Sequence, residues 1–173
     1  MKSGARAEPA LGVAAMAAPR DFHLEDFLPY QLSVAAARVS RLLSQRCAIA
    51  HGLTIPEWRV LTTTARFGCV SPTAVGEWTA MDKVKVSRAA AGLVARGLLR
   101  QTADPHDGRG RLLRMTRKGA GVYQGIVPLA RALEATLADG IGRSQGAALS
   151  KALLRLNAHV QQVNGAAHED AAD

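Results

Sequence analysis

Residues 82–118, DKVKVSRAAAGLVARGLLRQTADPHDGRGRLLRMTRK, decide both the fold class and the charge of this 173-residue chain. They include ten Lys or Arg residues and three acidic residues, a net charge of +7, whereas the whole chain carries +8. Such a local concentration is typical of a surface that binds a polyanion, with nucleic acid as the first candidate. A solvated basic surface is the alternative. Nucleic acid is favoured because the cations are spread over a helix start, a strand and a Gly-rich turn.

Two short helices joined by a tight turn are predicted around the start of this segment. Asp82 is suited to cap a helix that runs to Gly97. The preceding helix is expected to begin at Ser71-Pro72, because a side-chain cap is followed there by a proline in the first turn. The pair predicts a helix-turn-helix, with Ala80 in the turn where glycine is more usual.

A β-hairpin is predicted directly after the helix pair. Residues 98–102 and 111–115 read as strands, and ADPHDGRG between them is rich in turn-forming residues. Helix pair and hairpin together make a winged helix-turn-helix. The expected fold class is therefore mainly α with a small β-hairpin wing, together with a helical dimerisation region.

Long amphipathic helices are predicted on both sides of the winged helix-turn-helix. Apolar residues recur at helical spacing over 27–50, over 122–137 and again over 149–163. A small winged helix does not need so much helix for its own core, so these helices are expected to form a dimer interface. An internal helical bundle is the alternative.

The expected domain organisation follows from these elements. It is a disordered tail (1–22), a single domain (23–163) in which dimerisation helices (27–52 and 117–163) flank the winged helix-turn-helix (53–116), and a flexible tail (164–173).

Several classes of protein are disfavoured by composition. No apolar run is long enough for a transmembrane helix, and Glu8-Pro9 interrupts the short N-terminal stretch that weakly resembles a secretory signal. The only cysteines, Cys47 and Cys69, form no CxxC pair, which fits a reducing cytoplasm. The histidines are scattered, so no metal site is expected. Catalytic and cofactor-binding motifs are absent, so neither an enzyme nor a cofactor is expected.

Three motifs resemble the MarR family of bacterial transcriptional regulators. Residues 107–119, DGRGRLLRMTRKG, resemble the family's wing signature, D-x-R, five residues, then L-T-x-x-G, with Met115 in place of the leucine. Residues 53–61, LTIPEWRVL, resemble its L-T-x-x-x-W-x-V-L helix entry, and residues 82–99 resemble its recognition helix and exit. The resemblance covers roughly residues 28–160.

The resemblance implies a homodimer held together by its amino- and carboxy-terminal helices. Its two winged helix-turn-helix lobes would bind a pseudo-palindromic operator. Many members release DNA when a small aromatic or phenolic acid binds between the dimerisation region and the DNA-binding lobes. The chain is therefore expected to be a transcriptional regulator, more specifically a repressor that such an acid releases from DNA.

Candidate DNA contacts come first from the two helices of the helix-turn-helix. The amino-terminal residues of a recognition helix reach bases in the major groove. Lys85 and Arg88 are expected to contact bases, Lys83 a phosphate, and Ser87 either one. At the start of the preceding helix, hydroxyls and free backbone N–H groups can reach phosphates. The candidates there are Ser71 and Thr73.

The wing supplies a second set of candidates. Arg109, between two glycines, suits a narrow minor groove, and Arg111 is a phosphate candidate. Asp107 cannot bind phosphate and is expected to hold Arg109 or a neighbouring arginine in place. His106 and Asp104 beside it more readily form a solvated turn than a metal site.

The resemblance also implies an effector pocket between the first, second and last core helices. Its candidates are Arg38, Arg41 and Arg66 for the carboxylate, and Ser33, His51 and Trp58 for the pocket lining. A core position for Trp58 and a solvated helix face for the arginines are the alternatives. A thiol-based redox sensor that uses Cys47 or Cys69 is the alternative function, although neither matches the position of the sensing cysteine in such members.

Overall fold

The computed structural model of the chain describes residues 22–105, 107 and 110–169, and side chains for all of these except 47–50 and 165–169. The predicted N-terminal tail up to residue 21 and the last residues, 170–173, lie outside this part of the chain. So do His106, Gly108 and Arg109 at the wing tip, and the side chain of Cys47.

A 3-10 turn, six α-helices and three short strands make up the described chain. In order they are a 3-10 turn (Leu24–Asp26), α1 (Leu28–His51), α2 (Ile55–Phe67), β1 (Cys69–Val70), α3 (Pro72–Thr79), α4 (Lys83–Ala95), β2 (Leu99–Ala103), β3 (Arg111–Met115), α5 (Arg117–Ile141) and α6 (Arg143–Glu169). The expected fold class, mainly α with a small wing, is confirmed. Helix α6 continues six residues past the predicted boundary at 163.

The chain forms two compact units that divide within α1, after Arg38. The described part of the first unit is the 3-10 turn and the first half of α1. There the Gln31 side chain donates to the Glu25 carbonyl (2.7 Å), and the rings of Phe22 and Phe27 lie 5.4 Å apart. The second unit contains everything from Val39 onward.

Side-chain caps begin four helices of the second unit. Thr54 and Glu57 form a reciprocal capping box at α2. The side chains of Ser71, Asp82 and Thr116 each accept from the backbone N–H three residues on, at 3.1, 2.8 and 3.0 Å. Such caps satisfy N–H groups that the first helical turn leaves without partners. The helix starts predicted at Ser71 and Asp82 are confirmed.

The turn between α3 and α4 is strained at one residue. Ala80 has φ 51° and ψ 36°, the left-handed conformation that glycine adopts more easily. No other non-glycine residue of the described chain has a positive φ. The turn therefore keeps the helix-turn-helix geometry without the usual glycine.

The wing is one hairpin of a three-stranded antiparallel sheet with the order β1-β3-β2. Leu99 pairs with Met115, and Ala103 with Arg111, which confirms the predicted hairpin. Strand β1 was not predicted. It adds Val70 opposite Leu113 and closes the edge of β3 next to the helices.

The hydrophobic core lies between the winged helix-turn-helix and the first half of α5. Val60, Val75, Leu93, Leu113 and Ile126 are fully buried, and they come from α2, α3, α4, β3 and α5. No helix of the described chain is long and apolar enough to cross a membrane.

Candidate nucleic-acid interface

Helix α4 has one buried face and one exposed basic face. Val86, Ala89, Ala90 and Leu93 are buried in the core. The exposed face carries the predicted contact residues together with a valine: Lys83, Val84, Lys85, Ser87 and Arg88. Val84 is 58% exposed, and nothing in the core accounts for an apolar side chain there. A valine in this position can contact a thymine methyl group in the major groove.

Lys85 is held by an acid at the start of the same helix. Its Nζ lies 2.9 Å from Asp82 Oδ2, while Asp82 Oδ1 accepts from the Lys85 backbone N–H. The hydrogen bond from the Lys85 side chain, followed by that from its backbone N–H, lowers the pKa of the Asp82 carboxyl. Both groups are exposed, so the pair is held weakly and Lys85 can exchange Asp82 for a base or a phosphate.

The first turn of α3 meets α4 and the wing at a shared cleft. A cavity of about 460 Å³ is lined there by Thr73, Lys83, Ser87 and Gln101. Thr73 is exposed, whereas Ser71 is half-buried and its hydroxyl oxygen is occupied in capping the Ala74 N–H. The structure thus brings together three predicted residues, and it adds Gln101 of β2. An exposed polar residue in the strand was the only signal for Gln101 in the sequence.

The wing loop is closed by backbone hydrogen bonds around Gly110. The Gly110 N–H donates to the Asp107 carbonyl (2.8 Å), and the Asp104 N–H donates to the Gly110 carbonyl (3.1 Å). A Cβ at Gly110 would lie 2.9 Å from the Asp104 Cβ and 3.1 Å from that of Asp107, so the close approach requires glycine. Asp107 and Arg111 are both exposed. The role predicted for Arg109 lies outside the described residues.

The sheet carries two further cations that sequence reasoning did not single out. Arg100 of β2 and Arg114 of β3 are paired in register, and both are exposed. On the other side of Arg114 the partner in register is Cys69 of β1. The pairing, which the sequence alone does not reveal, places the two arginines side by side on one face.

The candidate effector residues are distributed over both units. Ser33 and Arg38 lie in the first unit, where the Ser33 hydroxyl donates to the Pro29 carbonyl (2.8 Å). In the second unit Arg41 is exposed and His51 is half-buried. A Cβ at Gly125 of α5 would lie 2.9 Å from the His51 ring, so this imidazole packs against α5.

The two remaining candidates on α2 have different surroundings. Trp58 is half-buried and stacks on Tyr123 of α5, with centroids 6.2 Å apart and an interplanar angle of 20°. The guanidinium of Arg66 lies over the exposed rings of Trp78 (4.7 Å) and Phe67 (5.3 Å). Arg66 is therefore part of an exposed aromatic cluster, and Trp58 is part of the contact between α2 and α5. Among the described residues no group of His, Cys, Asp or Glu side chains could hold a metal ion.

Comparisons with known proteins agree with this architecture. Residues 51–110 match the model of the MarR family. A probable transcriptional regulator from Pseudomonas aeruginosa is 27% identical with a TM-score of 0.70, and the match covers 78% of this chain and 99% of that one. BpsR from Bordetella bronchiseptica, in a structure described as the mechanism for regulation of its DNA binding by 6-hydroxynicotinic acid, is 25% identical with a TM-score of 0.72, covering 79% and 96%.

A third similar structure shares the fold. It is a mutant of MarR from E. coli complexed with operator DNA, 20% identical with a TM-score of 0.68, and the match covers 77% of this chain and 96% of that one. A comparison with curated protein sequences gives no match.

The fold and the basic face of α4 define a winged helix-turn-helix protein of the DNA-binding class. The family match and the shared fold confirm the resemblance seen in the motifs. By a family match over residues 51–110 and by the shared fold, the chain is similar to DNA-binding transcriptional regulators of the MarR family.

Proposed function

We propose that the chain acts as a homodimeric repressor that a small aromatic acid releases from its operator. The observation that carries this proposal is the exposed basic face at the start of α4, on a winged helix-turn-helix whose flanking helices leave an apolar surface uncovered. No catalytic step is required for this function, which would take place in the cytoplasm.

The proposed dimer rests on apolar side chains that one chain alone does not bury. Leu149, Leu153, Val160 and Val163 of α6 are each between 43% and 53% exposed. A groove of about 820 Å³ between α1, α5 and α6 is lined mainly by apolar residues. Exposed apolar surface of this extent is typical of a site for another protein, and a second copy supplies matching helices.

In the proposed complex each lobe places α4 in the major groove of one half-site. Lys85 and Arg88 contact bases, Lys83 contacts a phosphate, and Ser87 contacts either. The first turn of α3, with Ser71 and Thr73, contacts phosphates of the DNA backbone. Each good base contact discriminates by roughly 1–3 kcal/mol. In the wing, Arg109 enters the minor groove with support from Asp107, and Arg111 holds a phosphate.

The proposed effector is a small aromatic carboxylate. BpsR supports this choice, because the acid that is named as regulating its DNA binding is of that class. In this chain the stacked pair of Trp58 and Tyr123 offers an aromatic wall, with His51 against the same helix α5. Arg38, Arg41, Arg66 and Ser33 remain candidates for the carboxylate.

The proposal is tested by a thermal-shift screen of aromatic acids followed by competition with operator DNA. We expect at least one acid both to raise the melting temperature and to release DNA from a protein of dimer mass. A monomer at micromolar concentration, or DNA binding that no stabilising acid relieves, would contradict it.

Thiol sensing is the second candidate function, and one observation favours it. Cys69 is half-buried and is paired in register with Arg114, and reactive cysteines lie in partly exposed, electropositive surroundings. Peroxide treatment separates the two functions. Loss of DNA binding that Cys69→Ser prevents would favour the sensor.

A further inference from the structure

Arg96 joins the end of the recognition helix to the end of α1. It is the C-cap residue of α4, and its guanidinium donates to two consecutive carbonyls, Nη2 to His51 (2.8 Å) and Nη1 to Gly52 (2.9 Å). A guanidinium holds its donors in a rigid planar fork, so two such bonds fix direction as well as distance. The end of α1 and the end of α4 are therefore held in one relative orientation.

The first turn of α5 holds the same junction. Lys118 Nζ donates to the carbonyl of Arg96 (2.9 Å), and the hydroxyl of Thr116 donates to the carbonyl of Gly97 (2.7 Å). The two residues that end the recognition helix are thus bonded to both helices that flank the winged helix-turn-helix.

Stability of the fold does not explain these bonds well. The Arg96 side chain is 39% exposed, and water can satisfy carbonyls at a helix end. Its ion pair with Glu57 is long, at 3.9 Å, and partly exposed pairs contribute little. Water bonded to the same carbonyls would satisfy them, but only the arginine also fixes the end of α1 relative to the end of α4.

We propose that Arg96 is a positioning residue that sets the orientation of the recognition helix relative to α1, and thereby the half-site spacing that the dimer selects. The inference rests on the proposed dimeric function. Two recognition helices must enter successive major grooves about 34–36 Å apart. With the second half of α1 in the dimer interface, the angle between that half and α4 sets this separation, and Arg96 is not among the proposed DNA contacts.

The test compares operators of different spacing. A palindromic operator is first selected from random duplexes by the unaltered protein, and then one or two central base pairs are inserted or removed. We expect the unaltered protein to lose roughly tenfold or more in affinity on displaced spacings. The affinity of Arg96→Met should differ by less than about threefold between the original and the displaced spacings. Its affinity for a single half-site should change by less than about twofold.

Three further variants keep the outcome interpretable. Arg59→Met removes an exposed cation from α2 and should leave the spacing preference intact. Arg96→Lys keeps the charge without the fork and should behave like Arg96→Met. If Arg96→Met fails to fold, Lys118→Met loosens the same junction and should relax the spacing preference. An unchanged preference in a folded dimeric variant would overturn the inference alone, whereas an unaltered protein without any spacing preference would overturn the proposed dimer as well.

Discussion

Replacing Gly119 by alanine should destabilise the protein although it adds a better helix former. Gly119 is the third residue of α5, and a Cβ there would lie 2.1 Å from the carbonyl oxygen of Leu98 and 3.0 Å from its carbonyl carbon. Both atoms belong to the backbone, which cannot rotate away as a flexible side chain can. The contact can be relieved only if α5 and the start of β2 move apart.

The bonds around Leu98 set the cost of that movement. Its carbonyl accepts from the Thr116 N–H and from the Thr116 hydroxyl, each at 3.1 Å, and its N–H donates to Leu93 at the end of α4. Overpacking typically costs about 1–3 kcal/mol, and each weakened hydrogen bond about 1 kcal/mol. The gain of about 1 kcal/mol from the higher helix propensity of alanine offsets only part of this cost. We therefore expect a net loss of about 2–4 kcal/mol.

Gly121→Ala is the matched control, because it makes the same change two residues further along α5 with nothing within 4 Å of the new Cβ. It should stabilise by up to about 1 kcal/mol. Urea unfolding at one protein concentration measures both variants, since dimerisation would make stability concentration-dependent. A Gly119→Ala variant as stable as Gly121→Ala would refute the assigned contact.

Three other predictions test separate features. Ala80→Gly should stabilise the protein by about 0.5–1 kcal/mol in thermal unfolding, because it relieves the strain of the left-handed conformation. Ala91→Gly, at an exposed position of α4, is the control and should destabilise by about 1 kcal/mol. Stability changes of the same sign in both variants would contradict this explanation. Arg100→Gln or Arg114→Gln should raise the free energy of unfolding by about 0.2–1 kcal/mol, because two like charges face each other in register. The same variants should weaken DNA binding and flatten the slope of log affinity against log salt by about 0.9 per lost phosphate contact. An unchanged slope would exclude a phosphate contact by that arginine. The pKa of the Asp82 carboxyl is lowered in the folded protein, so its stabilising effect is present above the unfolded-state pKa and is lost as pH falls through the folded-state pKa. Asp82→Asn should remove this loss of stability below about pH 4. An acid-unfolding curve identical to that of the unaltered protein would count against the pair of Asp82 and Lys85.

Local chemistry in the sequence was sufficient to predict most element boundaries. The caps Ser71, Asp82 and Thr116 each act within four residues, so the pattern and the structure coincide at these helix starts. Strand β1 has only two residues, too few for any alternation to be visible, and it forms because β3 offers a free edge. Helix α6 runs on to Glu169, beyond Val163, where the apolar periodicity visible in the sequence ends.

The site was predictable in composition but not in its connections. An exposed face carrying Lys83, Lys85 and Arg88 follows from helical spacing, and the structure confirms that these side chains are exposed. The bonds from Arg96 to His51 and Gly52 span more than forty residues, and no local pattern encodes them. The same limit applies to Gln101, which joins the cleft beside α3 and α4 through the packing of β2.

The L-T-x-x-G part of the wing signature therefore has a structural explanation that does not involve DNA. Met115 pairs with Leu99, Thr116 caps α5 and bonds Gly97 and Leu98, and Gly119 lets α5 lie against the Leu98 carbonyl. Together they fasten the exit of the recognition helix to the helix that follows the wing. Arg96 fastens the same exit to α1. Because α1 ends and α5 begins at this junction, we expect a displacement of either helix to reach α4 through these side-chain-to-backbone hydrogen bonds. The effector proposed above would then not need to touch the DNA-binding face to change its position.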